Sequence, residues 1–176
     1  MITRRFSLLS LAGDVPMPPL PATPLPEAAI TLLRYSAHWV AHNFDPSESE
    51  PMIPALMHID QDGVVEGVAV LEVLLEEKPK LGARVTESIA AYPATAFVTE
   101  AWVSLPKTPR PSTEEQVIIP PRCDLNRIEV VEITLWTGGR QVCWTTEILR
   151  SNRPGLRGWK ILCDTAQGMR FVPTRF

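Results

Sequence analysis

Residues 127–150 read Arg127-Ile-Glu-Val-Val-Glu-Ile-Thr-Leu-Trp-Thr-Gly-Gly-Arg-Gln-Val-Cys-Trp-Thr-Thr-Glu-Ile-Leu-Arg150. Two extended runs, Arg127 to Trp136 and Gln141 to Arg150, flank Thr137-Gly138-Gly139-Arg140, and a Gly-Gly pair between such runs is a strong hairpin signal. With Gly138 and Gly139 as a two-residue turn, Leu135, Ile133 and Val131 stand opposite Val142, Trp144 and Thr146 on one face. That face reads as core. The other face sets Thr134, Glu132 and Val130 against Cys143, Thr145 and Glu147, half polar as in an antiparallel sheet with one wetter side.

Working outward, Ile53 to Ile59 and Val64 to Leu71 predict a second hairpin about the turn Asp60-Gln61-Asp62-Gly63, where Gly63 supplies positive φ. Ala96 to Leu105 predicts another strand, followed by a proline-bearing loop from Pro106 to Asn126. Trp159 to Asp164 and Met169 to Thr174 predict a last hairpin around Gly168. Two helices are expected. The first runs from about Glu27 to Phe44, with Pro26 before it, Asp45-Pro46 after it, and Ile30, Leu33, Ala37, Val40 and Phe44 on one stripe. The second runs from about Lys78 to Tyr92, with Pro79 in its first turn and Pro93 closing it. These elements predict an α+β fold. A single domain over residues 27–176 would hold an antiparallel β-sheet of about five to seven strands with two helices on one face, and residues 1–26 would form a proline-rich N-terminal arm.

The 176 residues are 45% hydrophobic and 21% charged, which excludes a chain disordered throughout, a collagen-like chain and a coiled coil. Proline is the outlier: of 18 prolines, six fall between Pro16 and Pro26. Proline lacks a donor and biases its predecessor to extended geometry, so this segment reads as polyproline II. Met17, Leu20, Ala22 and Leu25 interleave with the prolines. An arm so apolar is expected to lie on something, and the aromatic helix face of Tyr35 and Trp39, in its own subunit or a neighbour, is the expected seat.

The net charge of −3 excludes a uniformly basic nucleic-acid binder. The charge is nevertheless uneven. Between Phe44 and Glu100 eleven acids face three bases, whereas Arg150 to Phe176 carries six bases against Asp164 alone. Within one domain such segments are expected to attract each other across the fold. Cys123, Cys143 and Cys163 are widely separated, with no Cys-x-x-Cys pair, so neither a disulfide framework nor a cysteine zinc site is indicated. They read as small buried residues in a protein of the reducing cytoplasm. Arg4-Arg5 precede an apolar run, Leu8 to Ala12, that falls short of the ~7–15 residues an export signal needs. No stretch approaches the ~20 apolar residues of a membrane span.

His38 and His42 sit four apart on a helix and, with His58, are weak candidates for a metal. The residue after the first histidine is Trp39, however, where a metalloprotease carries its glutamate. Placing Gly63 at the sixth position of a calcium loop puts His58 and Ala69 where an aspartate and a bidentate glutamate belong, so that reading fails. Glu100, Glu132 and Glu147 lie inside predicted strands and would form an acidic cluster, capable of acid–base work, if their side chains shared a face. No nucleophile elbow, phosphate loop or dinucleotide fingerprint is present, and no cofactor is implied. The leading expectation is a non-enzymatic binding or assembly module. Tyr35, His38, Trp39 and His42 would be its interface, and a protein partner or a second copy would be bound there. The alternatives are a small hydrolase or metal-dependent enzyme using His38, His42 and the strand glutamates, and weak nucleic-acid binding by the basic C-terminal segment with Trp159, Phe171 and Phe176.

Overall fold

The computed structural model describes residues 3–5, 15–47, 52–69, 78–104, 127–150 and 154–165. Cys123, the Pro106 to Asn126 loop, the Met169 to Thr174 segment, and Arg153, Arg170, Phe171, Arg175 and Phe176 lie outside them. In chain order the elements are β1 (Thr3–Arg5), α1 (Glu27–Asn43), β2 (Ala55–Ile59), β3 (Val65–Ala69), α2 (Lys78–Ala91), β4 (Ala94–Ser104), β5 (Arg127–Thr137), β6 (Arg140–Leu149), β7 (Gly155–Leu156) and β8 (Lys160–Thr165).

The Gly-Gly hairpin forms in the expected register. Leu135 pairs Val142, Ile133 pairs Trp144 and Val131 pairs Thr146. Both turn glycines have positive φ, 55° at Gly138 and 76° at Gly139, the backbone that a two-residue turn matched to strand twist requires. The β2–β3 turn is built on one side chain: Asp60 Oδ1 accepts from the backbone N–H of Asp62 at 2.9 Å and of Val64 at 2.8 Å, with Gly63 at φ 80°. That carboxylate serves the turn, as Asx geometry predicts.

All pairings are antiparallel, and the strands run β1-β3-β2-β4-β5-β6, with β7 and β8 dividing the outer edge of β6 between them. The fold is therefore α+β, in a single domain. One expectation differs: the helices occupy opposite faces of the sheet. Leu32, Leu33 and Val40 of α1 pack with Ala96, Val98, Ile133, Leu135 and Trp144, whereas Leu81, Val85 and Ile89 of α2 pack with Leu56, Phe97 and Trp136. Chirality explains this. The β1-to-β2 connection carrying α1 and the β3-to-β4 connection carrying α2 step the same way across the sheet, but β3 and β4 run opposite to β1 and β2. Crossovers of one hand then place their helices on opposite sides.

At the C-terminal end β8 joins β6, while the other half of the expected hairpin, Met169 to Thr174, lies outside the described residues. The register slips by one residue between Cys143 and Trp144, leaving Leu162 as the extra residue of a bulge.

Candidate functional site

The proline-rich segment is seated on the α1 face of β6 by hydrogen bonds to its carbonyls. Trp144, wholly buried, donates its indole N–H to the Pro19 carbonyl at 2.8 Å. Arg140, beside the hairpin turn, donates Nη1–H to the carbonyls of Thr23 at 3.0 Å and Pro24 at 3.2 Å. Its Nε and Nη2 meanwhile form a fork on Asp164 of β8, at 2.8 and 2.7 Å. This pair holds the Asp164 carboxyl below the usual carboxylate range and fixes the guanidinium plane against the arm. Polyproline II makes no internal hydrogen bonds, so its carbonyls are open to such donors. Pro26 has φ −58° and ψ 152°, within that conformation. Pro18 and Pro21 are buried, at the three-residue spacing of its turns, while Leu20 between them is 59% exposed.

The aromatic helix residues sit differently from their expected placement. Tyr35 is only 6% exposed and belongs to the core, and Trp39 is partly buried against that core. The buried arc of α1 is centred on Ala29, Leu32, Leu33, Ser36 and Val40. Ser36 lies within that arc: fully buried, it donates its hydroxyl to the Leu32 carbonyl at 2.9 Å, so its burial leaves no hydroxyl unpaired, and the arc extends beyond the expected stripe to Leu32 and Tyr35. His38 and His42 stack with ring centroids 6.1 Å apart, and His42 Nδ1 lies 2.8 Å from the His38 carbonyl oxygen.

The candidate metal ligands and acids are dispersed. His58, on β2, stacks on Tyr92 at 3.7 Å and lies 3.6 Å from Glu66, and burial holds its imidazole below the usual value. Among the described residues no three histidines, cysteines or acids converge as a metal site. Glu100 is paired with Val131 and not with Glu132, so strand alternation sends Glu100 to the α1 face and Glu132 and Glu147 to the other. Glu100 accepts the Met52 backbone N–H and lies 3.7 Å from Arg150, which itself forks onto Glu129 at 2.7 and 2.9 Å. The described bases of the C-terminal segment are largely matched by acids, Arg150 in this way and Arg157 with Glu147 at 2.8 Å.

On the sheet face that carries α2 lies a partly buried polar chain that no sequence motif announces. Thr134 donates its hydroxyl to Glu132 Oε1 at 2.6 Å and lies 3.3 Å from Cys143 Sγ. Gln141, held by the Trp136 indole N–H at 3.1 Å, directs its amide to the same sulfur at 3.6 Å. Cys143 stands directly opposite Cys163 of β8. The Cys163 sulfur accepts hydrogen bonds from the Cys143 thiol and backbone N–H, which hold its thiol down to about 7. Donation to that sulfur, together with burial, pushes Cys143 up, and burial pushes the Glu132 carboxyl up. The pairing is illegible in sequence because no local signal sets the partner or the register of β8 on β6. Trp144 and Arg140 are hairpin residues by pattern, and no local signal marks them as the seat of a segment more than a hundred residues away.

Comparison with protein families, with curated proteins and with solved structures finds no match to this chain. Among the described residues no helix is long and apolar enough to cross a membrane.

Proposed function

We propose that this protein is a non-enzymatic binding and assembly module that takes an extended proline-rich segment in the groove beside Trp144, its own arm or that of a second copy. The observation that carries this reading is the capture of three arm carbonyls, Pro19, Thr23 and Pro24, by one buried indole and one oriented guanidinium. Aromatic-lined grooves recognise polyproline II segments in this way, reading a pre-ordered backbone at little entropic cost. The interface thus moves from Tyr35, His38, Trp39 and His42 to Trp144 and Arg140.

A second copy is the partner favoured, because its arm fits the same groove by the same contacts. Reciprocal exchange preserves every hydrogen bond and is opposed mainly by the entropy of association, so it rises with concentration. The tethered arm competes at an effective concentration on the order of millimolar. Light scattering on the full chain from micromolar to millimolar protein is expected to show a growing dimer fraction. A synthetic peptide of residues 15–26 should suppress it. A monomeric mass throughout, with no response of the Trp144 indole signal to the peptide, would overturn the proposal.

A further inference from the structure

The Glu132–Thr134–Cys143–Cys163 chain plays no part in arm capture, yet it has the parts of a thiol-exchange site. Cys143 and Cys163 are direct partners across β6 and β8. Directly opposed antiparallel residues have Cα atoms ~4.5–5.5 Å apart, within the ~4.4–6.8 Å span of a disulfide. Cys143 is 5% exposed and Cys163 is partly exposed, so an incoming reagent meets Cys163 first. The Leu162 bulge adjoins Cys163, and bulges at sheet edges re-aim neighbouring side chains. Behind Cys143 the hydroxyl of Thr134 links its sulfur to the Glu132 carboxyl.

We propose that Cys163 and Cys143 form a redox-active dithiol that exchanges with small-molecule disulfides of the glutathione class and closes into a cross-strand disulfide, with Glu132 as base for the second step. The Cys163 thiolate attacks one sulfur of the small disulfide. A bond forms between Cys163 Sγ and that sulfur, the small S–S bond breaks, and one thiolate departs to take a proton from water. The Cys143 proton then passes to the Thr134 hydroxyl as Thr134 gives its own to the Glu132 carboxylate. Cys143 Sγ attacks Cys163 Sγ, a second small thiolate leaves and is protonated, and Glu132 returns its proton to solvent. Two protein thiols are oxidised to one disulfide, and one small disulfide is reduced to two thiols.

The chemistry of each sulfur suits its step. Cys163, with its thiol near 7, is substantially thiolate at neutral pH, and attack is fastest when a thiol titrates near the ambient pH. Cys143 is held protonated and needs a base, and the raised Glu132 carboxyl lies one hydroxyl away. Side chains directly opposed on neighbouring strands stand with Cβ atoms ~4.5–5.5 Å apart, slightly wider than a relaxed disulfide. Closure therefore yields a bond of the readily reduced kind.

The test uses the full chain with Cys123→Ser, so that two thiols remain. Incubation with glutathione disulfide should consume both and release two glutathione molecules per chain, with Cys143 and Cys163 joined in the non-reduced peptide map. Adding Cys143→Ser, or Cys143→Ala where serine impairs folding, should trap glutathione on Cys163. Adding Cys163→Ser should leave Cys143 unmodified. Glu132→Gln should slow closure roughly a hundredfold without changing the first step. A chain that keeps both thiols, or that stalls as the mixed disulfide in the parent, would overturn the dithiol. Closure at the parent rate in Glu132→Gln would overturn the role of the carboxyl.

Discussion

Replacing Trp144 with phenylalanine isolates the contact on which arm capture rests. The side chain is wholly buried, and its indole N–H donates to Pro19 at 2.8 Å. Phenylalanine keeps most of the apolar volume, so the packing loss is about 1 kcal/mol, on the scale of one buried methylene with its cavity. The bond to Pro19 is part-buried and Pro19 itself is exposed, so its loss costs about 0.5–1.5 kcal/mol, the net value of one hydrogen bond. Together these predict a loss of about 1.5–2.5 kcal/mol, or roughly 3–10 °C in Tm for a chain of this size. The second part is limited by arm release, because an undocked carbonyl reaches water. A cycle separates the two parts: in a chain lacking residues 15–24 the same substitution should cost only the packing portion. The assay is urea unfolding of the four proteins, followed by circular dichroism. Equal costs of Trp144→Phe with and without the arm would refute the hydrogen bond as the anchor.

Asp164→Asn removes the carboxylate that orients Arg140. Because the Asp164 carboxyl is held below its ordinary 3.8, its contribution is present above that pH and is lost as pH falls through the lowered value. The variant should therefore loosen the arm at neutral pH and match the parent in strong acid, as read by the Trp144 indole resonance. Glu132 behaves oppositely: its raised carboxyl favours the fold below the ordinary 4.5, and that contribution is lost as pH rises through the raised value. Glu132→Gln should then raise Tm at pH 8 and change it little at pH 4, and an equal change at both would contradict the assignment. His58 is held below its ordinary 6.5, so the unfolded chain takes up its proton first on acidification. Stability should fall as pH drops from 6.5 through the lowered value, and His58→Gln should flatten that slope in a pH series of unfolding curves. Gly139→Ala meets open space but must keep φ 76°, so it should cost about 1 kcal/mol by backbone strain alone, measurable as a shift of the urea midpoint.

The hairpin around Gly138 and Gly139 was legible to the register because alternation and turn chemistry act locally. Both helices were legible to within about two residues, marked by prolines and by apolar spacing. The buried side of α1 was legible in Leu33, Ala37, Val40 and Phe44, all buried, but its extension to Leu32 and Tyr35 was not, because Ser36 satisfies its hydroxyl within its own helix and so passes for a surface residue by type. Nor was the placement of α2 opposite α1, which depends on strand order and hand rather than on any local pattern. Strand alternation likewise separates Glu100 from Glu132 despite their adjacent strands. The site residues Trp144, Arg140 and Cys163 gain their roles from pairings of β6 with a distant arm and with β8, and residue type alone does not encode those partners.

Hydrogen exchange of the Trp144 indole N–H, measured by NMR in the full chain and in a chain lacking residues 15–24, tests the captured arm most directly. Trp144→Phe identifies the signal among the five tryptophans. Slow exchange in the full chain, with a shifted and faster-exchanging signal once the arm is removed, is the predicted result. The same shift and the same exchange rate in both proteins would contradict the assignment of this groove as a receptor for the proline-rich segment.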